Sequence, residues 1–208
     1  MIHQGSVYVA DKVARVSAIE GHFGDALNEG ENIIEKKLSI KERRSLYLFS
    51  VGIPKGDITS RLSIESCIGF ILPDPPISVN SCEGIRGVWL QPNRWMLVAE
   101  QPVGNKLESR LRNSSPLSTI RNITTGRVVL RLSGNSVRDI LAKGCSADLH
   151  PRVFRPETAM STLLGHFSVM LESIDKDIID LYITRSFGLA CLDWLKEARN
   201  ELNRRSEV

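Results

Sequence analysis

The order in which strand-like and helix-like segments follow one another constrains this fold more than any other feature. Four apolar segments have the length and composition of strands: residues 46–51, 85–90, 95–100 and 117–124. Asp57 can cap a helix that runs to about Phe70. A polar helix is predicted at residues 104–113, with Leu107 and Leu111 one turn apart. Strand, helix, strand, strand, helix, strand is the ferredoxin-like order.

The same order returns in the second half of the chain. Strands are predicted at residues 127–132, 161–171 and 178–183, and a helix lies between Gly134 and Gly144. Ser186 caps a closing helix with one continuous apolar stripe: Phe187, Ala190, Cys191, Trp194, Leu195, Ala198 and Leu202. These patterns predict an α+β protein of two ferredoxin-like βαββα halves, each a sheet covered by helices.

The chain is predicted to divide into three segments that form one compact unit. Residues 1–45 are expected to be an irregular N-terminal arm with one or two short helices, because glycines interrupt its helical pattern. Within this arm, residues 39–44 (SIKERR) are a charged run that is typical of a solvated surface. Residues 46–125 form the first ferredoxin-like half, and residues 126–208 form the second.

Charge and composition exclude several classes of partner. The 27 Lys and Arg against 24 Asp and Glu leave a net charge of +3, which gives no reason to expect nucleic acid or an anionic membrane. A hydrophobic fraction of 42% and a charged fraction of 25% are typical of globular proteins. No segment approaches the ~20 apolar residues of a membrane span, and no signal-peptide core is present. We therefore expect a cytoplasmic protein with reduced cysteines.

The sequence contains none of the short motifs that commonly bind cofactors or metals. It has no GxGxxG after a strand, no GxxxxGK[ST], no HExxH and no GxSxG, and its four cysteines form no CxxC pair. These absences lower the expectation of an independent flavin or nicotinamide enzyme. Accordingly, we assign no catalytic, cofactor-binding or metal-binding residue to this chain.

Two groups of polar side chains nevertheless leave an enzymatic alternative open. Cys145, Asp148 and His150 could form a nucleophile set, although the sequence favours Asp148 or His150 binding the backbone amides of their own loop. An enzyme that holds a pterin would need a buried carboxylate, for which the candidates are Glu100, Asp148 and Glu172.

Aromatic and basic side chains suggest a second alternative, the binding of a base or an anion. Three tryptophans could form a stacking surface, but tryptophans in strands and on apolar helix stripes are more often core anchors: Trp89, Trp95 and Trp194. Three arginines could form a basic face that binds an anion such as polyglutamylated folate, or could be solvated or form salt bridges to a partner chain: Arg127, Arg131 and Arg138. The helix start at residues 185–187 could also face an anion. His166 falls inside a predicted strand and is expected to be structural.

Five sequence blocks resemble one family. Four lie in the second half: ITTGRVVLRLSG, DILAKGCSADLHPRVF, STLLGHFSVMLESI and LYITRSFGLACLDWL. The fifth, WLQPNRWMLVAE at residues 89–100, has the form of a strand, a turn and a strand. The most specific piece is KGCxxDLHPxxF at residues 143–154. Together these blocks resemble the gamma subunits of heterotetrameric sarcosine oxidases, from about Leu46 to Trp194.

This resemblance implies a fold akin to the folate-binding domain of glycine-cleavage aminomethyltransferases. It also implies a cytosolic heterotetramer of alpha, beta, gamma and delta chains, an oxidoreductase that acts on CH-NH donors with oxygen as acceptor. Such complexes oxidatively demethylate sarcosine or a related N-methyl amine, giving glycine or the demethylated amine and hydrogen peroxide, and pass the one-carbon unit to tetrahydrofolate. FAD, FMN, NAD, tetrahydrofolate and zinc belong to the partner subunits, and the gamma chain holds no cofactor.

We therefore expect a non-catalytic subunit that binds and stabilises its alpha and beta partners. Two alternatives stay open. A free-standing folate-dependent aminomethyltransferase-like enzyme would bind tetrahydrofolate by itself. A small-molecule-binding regulatory module would instead bind an effector between its two halves.

Overall fold

A computed structural model describes residues 17–22, 38–75 and 79–205 of the chain. Its strands are β1 (Ser39–Glu42), β2 (Leu46–Gly52), β3 (Val79–Cys82), β4 (Ile85–Gln91), β5 (Arg94–Glu100), β6 (Thr119–Asn122), β7 (Arg127–Ser133), β8 (Thr158–Leu164), β9 (Phe167–Asp175) and β10 (Ile178–Thr184). Its helices are α1 (Ile58–Ile68), α2 (Gly104–Ser114), α3 (Val137–Ala142) and α4 (Gly188–Arg205). The 3-10 turns Thr124–Gly126 and Arg185–Phe187 precede β7 and α4. Residues 1–16 and 23–37 of the predicted arm, with its short helices, lie outside the described residues.

The first predicted half forms a five-stranded antiparallel sheet with the strand order β3-β4-β5-β2-β6. β2 lies between β5 and β6, with Leu48 opposite Val98 and Val51 opposite Ile120. β4 and β5 form the predicted hairpin, and Asn93 adopts a left-handed conformation in its turn (φ 60°). The arrangement is ferredoxin-like with β3 added at one edge, which confirms the predicted fold class.

The second sheet has the same strand arrangement as the first, but its edge strand next to β7 is β1, which precedes both predicted halves in the sequence. The strand order is β1-β7-β10-β9-β8, and every neighbouring pair is antiparallel. β1 occupies beside β7 the place that β6 occupies beside β2. Ile40 lies opposite Leu132 and is fully buried. The prediction of a solvated run at residues 39–44 is therefore wrong for Ser39–Glu42, because pairing with β7 directs alternate side chains into the core.

Three further local predictions in the second half are wrong. The strand predicted at residues 161–171 is two strands, because Gly165 adopts a left-handed conformation (φ 60°) and reverses the chain between β8 and β9. His166 is exposed in that turn rather than placed inside a strand. Ser186 lies within a 3-10 turn and does not cap α4, which begins at Gly188. The division of the chain at residues 45 and 125 stays a prediction.

Helix α1 begins where the sequence predicts and packs one side against the first core. The Asp57 side chain accepts a hydrogen bond from the backbone N–H of Ser60, as expected of a cap. Ile64 is buried against the first sheet. Ile58 and Leu62 lie on another side of the helix and are 69% and 60% exposed.

Helix α4 covers the second sheet with most of the predicted apolar stripe. Four of its side chains are buried in that core: Cys191, Leu192, Leu195 and Ala198. Phe187 and Ala190 are exposed, so the buried stripe begins one turn later than predicted. Trp194 packs against Gly144, where an added Cβ would lie 2.6 Å from the indole ring. Glycine at this position therefore allows the close approach of α4.

The two halves stack as four layers in the order helix, sheet, sheet, helix. Side chains alternate along each strand, so β2 directs Phe49 and Val51 toward α1 and α2, and Leu46 and Leu48 toward the second sheet. The apolar cluster between the sheets contains Leu46, Leu48, Val79, Val88, Met96, Val98, Val129, Met170 and Tyr182. Both sheets are therefore buried on two faces.

We expect Ile40→Ala to lower the free energy of unfolding by about 2–4 kcal/mol, because it removes a fully buried side chain of β1 from the second core. The control Lys41→Ala changes an exposed neighbour on the same strand and should alter stability by less than about 0.5 kcal/mol. Urea unfolding followed by tryptophan fluorescence measures both variants. Equally small effects would contradict the pairing of β1 with β7.

Candidate functional site

A row of charged side chains lies on the inner face of the second sheet. The strand register places Arg131 of β7 opposite Asp180 of β10, and Asp180 opposite Glu172 of β9. These side chains share the face that Tyr182 presents to the first sheet. Asp180 and Glu172 are 0% and 1% exposed. Two neighbouring buried carboxylates require cations, because an unpaired buried charge is costly.

The cations come from both sheets. Arg131 binds Asp180 through two hydrogen bonds, Nε to Oδ1 and Nη2 to Oδ2, both 2.7 Å long. Arg86, on β4 of the first sheet, donates from Nε to Glu172 at 2.8 Å, and its Nη2 lies 3.7 Å from Asp180 Oδ2. The Tyr182 hydroxyl donates to the other oxygen of Glu172. These five residues are called the inter-sheet network below.

Burial and pairing shift the pKa values of the inter-sheet network. Burial raises the pKa of Tyr182 well above its ordinary value, and the adjacent Glu172 carboxylate raises it further. Burial alone would lower the pKa of Arg86, but the charge of Glu172 opposes burial and the net shift is upward. Hydrogen bonds to Asp180 raise the pKa of Arg131. The network therefore keeps both arginines charged and Tyr182 neutral.

The inter-sheet network continues toward the surface through Glu100. Arg43 Nη2 lies 2.7 Å from Glu100 Oε1, and Arg86 Nη1 lies 3.7 Å from the same oxygen. Glu100 and Glu172 are two of the three carboxylates named above as candidates for holding a pterin. Both are paired with arginines of the chain itself, so the residues of this layer do not fit the free carboxylate that a pterin site needs.

Sequence reasoning missed three members of the inter-sheet network: Arg86, Asp180 and Tyr182. Arg86 and Asp180 each stand inside an otherwise apolar strand, in IRGVWL and IIDLYI. A charge within such a segment is the signal that could have found them, because charged side chains are seldom fully buried without a partner. The pairing of Arg86 with Glu172 could not be predicted from the sequence, because the two residues are 86 positions apart.

The Cys145, Asp148 and His150 set is not assembled. Asp148 Oδ1 accepts the backbone N–H of His150 at 2.8 Å, and His150 Nδ1 accepts the backbone N–H of Arg152 at 3.2 Å. The Cys145 sulfur lies 3.7 Å from the Thr162 hydroxyl. Asp148 and His150 therefore order their own loop, which is the structural alternative that the sequence left open.

The three tryptophans do not form one stacking surface. Trp95 is 1% exposed in the first core, and its Nε1 donates to the carbonyl of Pro73 at 2.7 Å. Trp89 packs at the margin of the same core, whereas Trp194 packs in the second core. All three are core anchors, and the stacking alternative is wrong.

Two of the three arginines in the predicted basic face make contacts inside the second half. Arg131 belongs to the inter-sheet network. Arg138 donates from Nη1 to the carbonyls of Leu149 and Phe154, at 2.6 and 2.9 Å. Burial lowers the pKa of Arg138, and these carbonyls satisfy its donors. Neither arginine is available to the anion that the basic-face alternative requires.

The third arginine, Arg127, lines a recess at the seam between the two sheets. The recess has a volume of about 30 Å³, and its charged lining consists of Glu42 and four arginines: Arg43, Arg44, Arg127 and Arg185. A wider groove of about 590 Å³ shares Ala18 and Arg185 with the recess and runs past Ser186 and Leu189. The predicted helix start at residues 185–187 thus borders this groove. The recess and the groove together are called the arginine groove below.

Residues 17–22, 38–75 and 79–205 offer neither a cluster of metal ligands nor a membrane-spanning helix. Within these ranges, no group of three or more His, Cys, Asp or Glu side chains could hold a metal ion. No helix there combines the length and the apolar character of a membrane span. Burial raises the pKa of the Cys191 thiol to about 12, so this cysteine packs as an apolar side chain.

Comparison with known sequences points to one family. The family described as "Sarcosine oxidase, gamma subunit family" matches residues 56–201, which is more than half of the chain. The sarcosine oxidase subunit gamma of Corynebacterium sp. (strain P-1) is 29% identical over 143 residues, which cover 67% of this chain and 69% of that protein. The resemblance seen in the sequence blocks is confirmed.

Comparison with solved structures agrees with the sequence matches. A chain of the heterotetrameric sarcosine oxidase from Corynebacterium sp. U-96, in complex with pyrrole 2-carboxylate, has a TM-score of 0.79 and 26% identity, covering 90% of this chain and 95% of that one. The glycine cleavage system aminomethyltransferase T from Bartonella henselae has a TM-score of 0.53 and 16% identity, covering 76% and 45%. The second likeness is one of fold alone, and it is the fold that the resemblance implied.

We expect Arg86→Met to lower the free energy of unfolding by about 3 kcal/mol, because it leaves the buried Glu172 carboxylate without its closest cation. The double variant Arg86→Met/Glu172→Leu should recover most of this loss, since both charges are then removed. Arg112→Met is the control: it breaks an exposed pair with Glu108 and should cost less than about 0.5 kcal/mol. Urea unfolding tests all three variants. An unchanged midpoint for Arg86→Met would contradict the claim that the inter-sheet network stabilises the fold.

The raised pKa of Tyr182 predicts a pH-dependent contribution to stability. The unfolded tyrosine ionises near pH ~10, while the folded one stays neutral to a higher pH. Unfolding therefore releases a proton above pH ~10. The contribution of Tyr182 to the free energy of unfolding is complete below that pH. Above it, the contribution falls by at most about 1.4 kcal/mol per pH unit. Tyr182→Phe removes the ionisable group, so the stability difference between the wild type and this variant should shrink above pH ~10. Urea unfolding on both sides of that pH measures the difference, and a constant difference would refute the assignment.

Proposed function

Since the chain belongs to the sarcosine oxidase gamma subunit family, we propose that it is the gamma subunit of a heterotetrameric, flavin-dependent sarcosine oxidase-like complex. The observation that carries this proposal is the structural likeness to a chain of such a heterotetramer, at a TM-score of 0.79 over 90% of this chain. The partners would be alpha, beta and delta chains in the cytoplasm.

The proposed complex oxidises sarcosine or a related N-methyl amine. A flavin held by a partner chain would accept the two electrons of the N-methyl oxidation, with oxygen as the final acceptor and hydrogen peroxide as the product. The one-carbon unit goes to tetrahydrofolate and the demethylated amine, such as glycine, is released. FAD, FMN, NAD, tetrahydrofolate and zinc would be held by the partner chains.

We infer that this chain is a non-catalytic member of the complex. Support comes from the inter-sheet network, in which Glu172 accepts hydrogen bonds from Arg86 and Tyr182, and Asp180 from Arg131. These buried carboxylates already have donors within the chain. They stabilise the stack of two sheets, because their hydrogen bonds join side chains of both sheets.

The exposed apolar residues on α1 support a role in subunit contact. Ile58 and Leu62 are 69% and 60% exposed and lie one helical turn apart, so they share one side of the helix. Neighbouring apolar side chains of this kind are common where a protein meets a partner. Contact with another chain would remove them from water.

Co-purification tests the proposed function. The tagged full-length chain is expressed with the proteins encoded beside it, captured on the tag, and examined by visible absorbance and native mass spectrometry. We expect a yellow complex that contains this chain in stoichiometric amount, because its partners carry the flavins. The same strain with an untagged chain is the control. Recovery of a colourless chain without partners, from cells that contain those proteins, would refute the proposal.

A further inference from the structure

The face of the first sheet that meets the second sheet continues beyond the apolar cluster between them. Leu48 of β2 and Met96 of β5 belong to that cluster, and the next positions on the same face of these strands are Ser50 and Arg94. On β6, the strand register sets Arg121 opposite Ser50, and directly opposite residues share one face of a sheet. Arg94 and Arg121 are both exposed. This face therefore ends in an open surface with an arginine on either side of β2.

Only small residues of β2 separate the two arginines. Gly52 lies directly opposite Arg94, and Ser50 lies directly opposite Arg121. Because neighbouring strands are ~4.8 Å apart, the strands that carry the two arginines are about 10 Å apart. No large side chain of β2 stands between them on this face. One binding partner can therefore contact both guanidinium groups.

A lysine adds a third positive charge at the same end of the sheet. Lys55 is exposed and lies in the turn that follows β2. The backbone N–H of Ile53 donates to the carbonyl of Asn93 at 3.0 Å, which ties this turn to the β4–β5 hairpin just before Arg94. The three cations Lys55, Arg94 and Arg121 are called the basic end below.

The basic end has no carboxylate of the chain to balance it. The three segments that meet there, residues 50–57, 90–95 and 118–122, contain one acidic side chain, Asp57. Asp57 caps α1, where its carboxylate accepts hydrogen bonds from the backbone N–H and the hydroxyl of Ser60, at 2.9 and 2.6 Å. In the part of the chain that the structure describes, no Asp or Glu oxygen lies within the 4.0 Å ion-pair distance of these three cations.

Surface cations elsewhere in the structure are paired with carboxylates. In the arginine groove, Glu42 binds Arg44 at 2.7 Å. Glu108 of α2, which accepts a hydrogen bond from Asn122 at the end of β6, pairs with Arg112 at 2.9 Å. The basic end lacks such pairs, so its positive potential favours an anionic partner.

We propose that the basic end docks an acidic surface of a partner subunit. Asp or Glu side chains of that surface accept hydrogen bonds from Arg94 and Arg121, whose planar guanidinium groups match a carboxylate. Complementary charge of this kind fixes the register of two proteins and speeds their encounter. This inference rests on the proposed function, because the proposed function supplies the partner chain.

The shape and surroundings of the basic end suit a protein partner better than a free anion or a second copy of this chain. Sites for small molecules are concave, whereas these cations lie on exposed strand ends and in a turn. Two copies of the basic end would repel each other. Ile58 follows Lys55 by three residues and is 69% exposed, so apolar surface borders the charges, as it does where the rim of a protein interface meets its centre.

A competition experiment tests this docking surface. Wild-type chain with one tag and variant chain with another are co-expressed with the neighbouring flavoprotein subunits, and mass spectrometry measures their ratio in the flavin-containing complex. We expect Arg94→Glu/Arg121→Glu to be depleted by about tenfold or more relative to wild type, because like charges then face each other across the contact. Arg94→Lys/Arg121→Lys keeps both charges and should stay within about threefold of wild type.

Arg152→Glu/Arg155→Glu is the matched control, since it reverses two exposed arginines on the loop between α3 and β8. It should enter the complex as well as the wild type does, and far-ultraviolet circular dichroism verifies that each purified variant is folded. Equal incorporation of Arg94→Glu/Arg121→Glu and wild type overturns the docking surface and leaves the proposed function intact. Equal depletion of the test variant and the control also overturns it, because the effect then follows total charge. Absence of both chains from the flavin-containing fraction refutes the proposed function, and the docking surface with it.

Carbodiimide cross-linking of the complex that contains Arg94→Lys/Arg121→Lys identifies the contact directly. This reagent joins an amine to a carboxylate that touches it, and it does not join a guanidinium group. We expect the amines introduced at positions 94 and 121 to be cross-linked to an Asp or Glu of a partner subunit, with no such product from the wild-type chain. Cross-links from these positions only to a second copy of this chain, or to no partner at all, contradict the proposal.

Discussion

The stack of two sheets depends on charges that pair across it. Glu172 and Asp180 are like charges on neighbouring strands of a buried layer, and the second sheet alone supplies only Arg131. Arg86 reaches from the first sheet and binds Glu172 at 2.8 Å. Because a buried charge without its partner is strongly destabilising, this contact favours the one arrangement of the halves in which both carboxylates are neutralised. The apolar cluster around Tyr182 then fills the rest of the layer.

This charge pairing limits what the space between the sheets can bind. The oxygens of Glu172 and Asp180 already accept hydrogen bonds from Arg86, Tyr182 and Arg131, so the layer has the character of a protein interior. We propose that the chain instead meets its partners at the surface, where Ile58 and Leu62 expose the apolar side of α1. The chain shares its fold with an aminomethyltransferase, and a shared fold does not by itself determine function.

Local sequence signals were sufficient to predict most helices and strands. The features that could not be predicted have a common cause. The β4–β5 hairpin and the start of α1 follow from Asn93 and from the cap Asp57, which act within a few residues. β1 could not be predicted, because its four residues include Lys41 and Glu42 and it becomes a strand only by pairing with β7. The inter-sheet network was hidden for the same reason: the ion pair that Arg86 makes joins distant parts of the sequence.

Calorimetric titration of the full-length chain with tetrahydrofolate tests most directly whether the layer between the sheets can bind a ligand. If its carboxylates are already paired, the titration should show no saturable heat at ~micromolar concentrations, where a formed ligand pocket would bind. Saturable binding at such concentrations, lost on Glu172→Gln, would contradict this account and favour a folate-dependent enzyme.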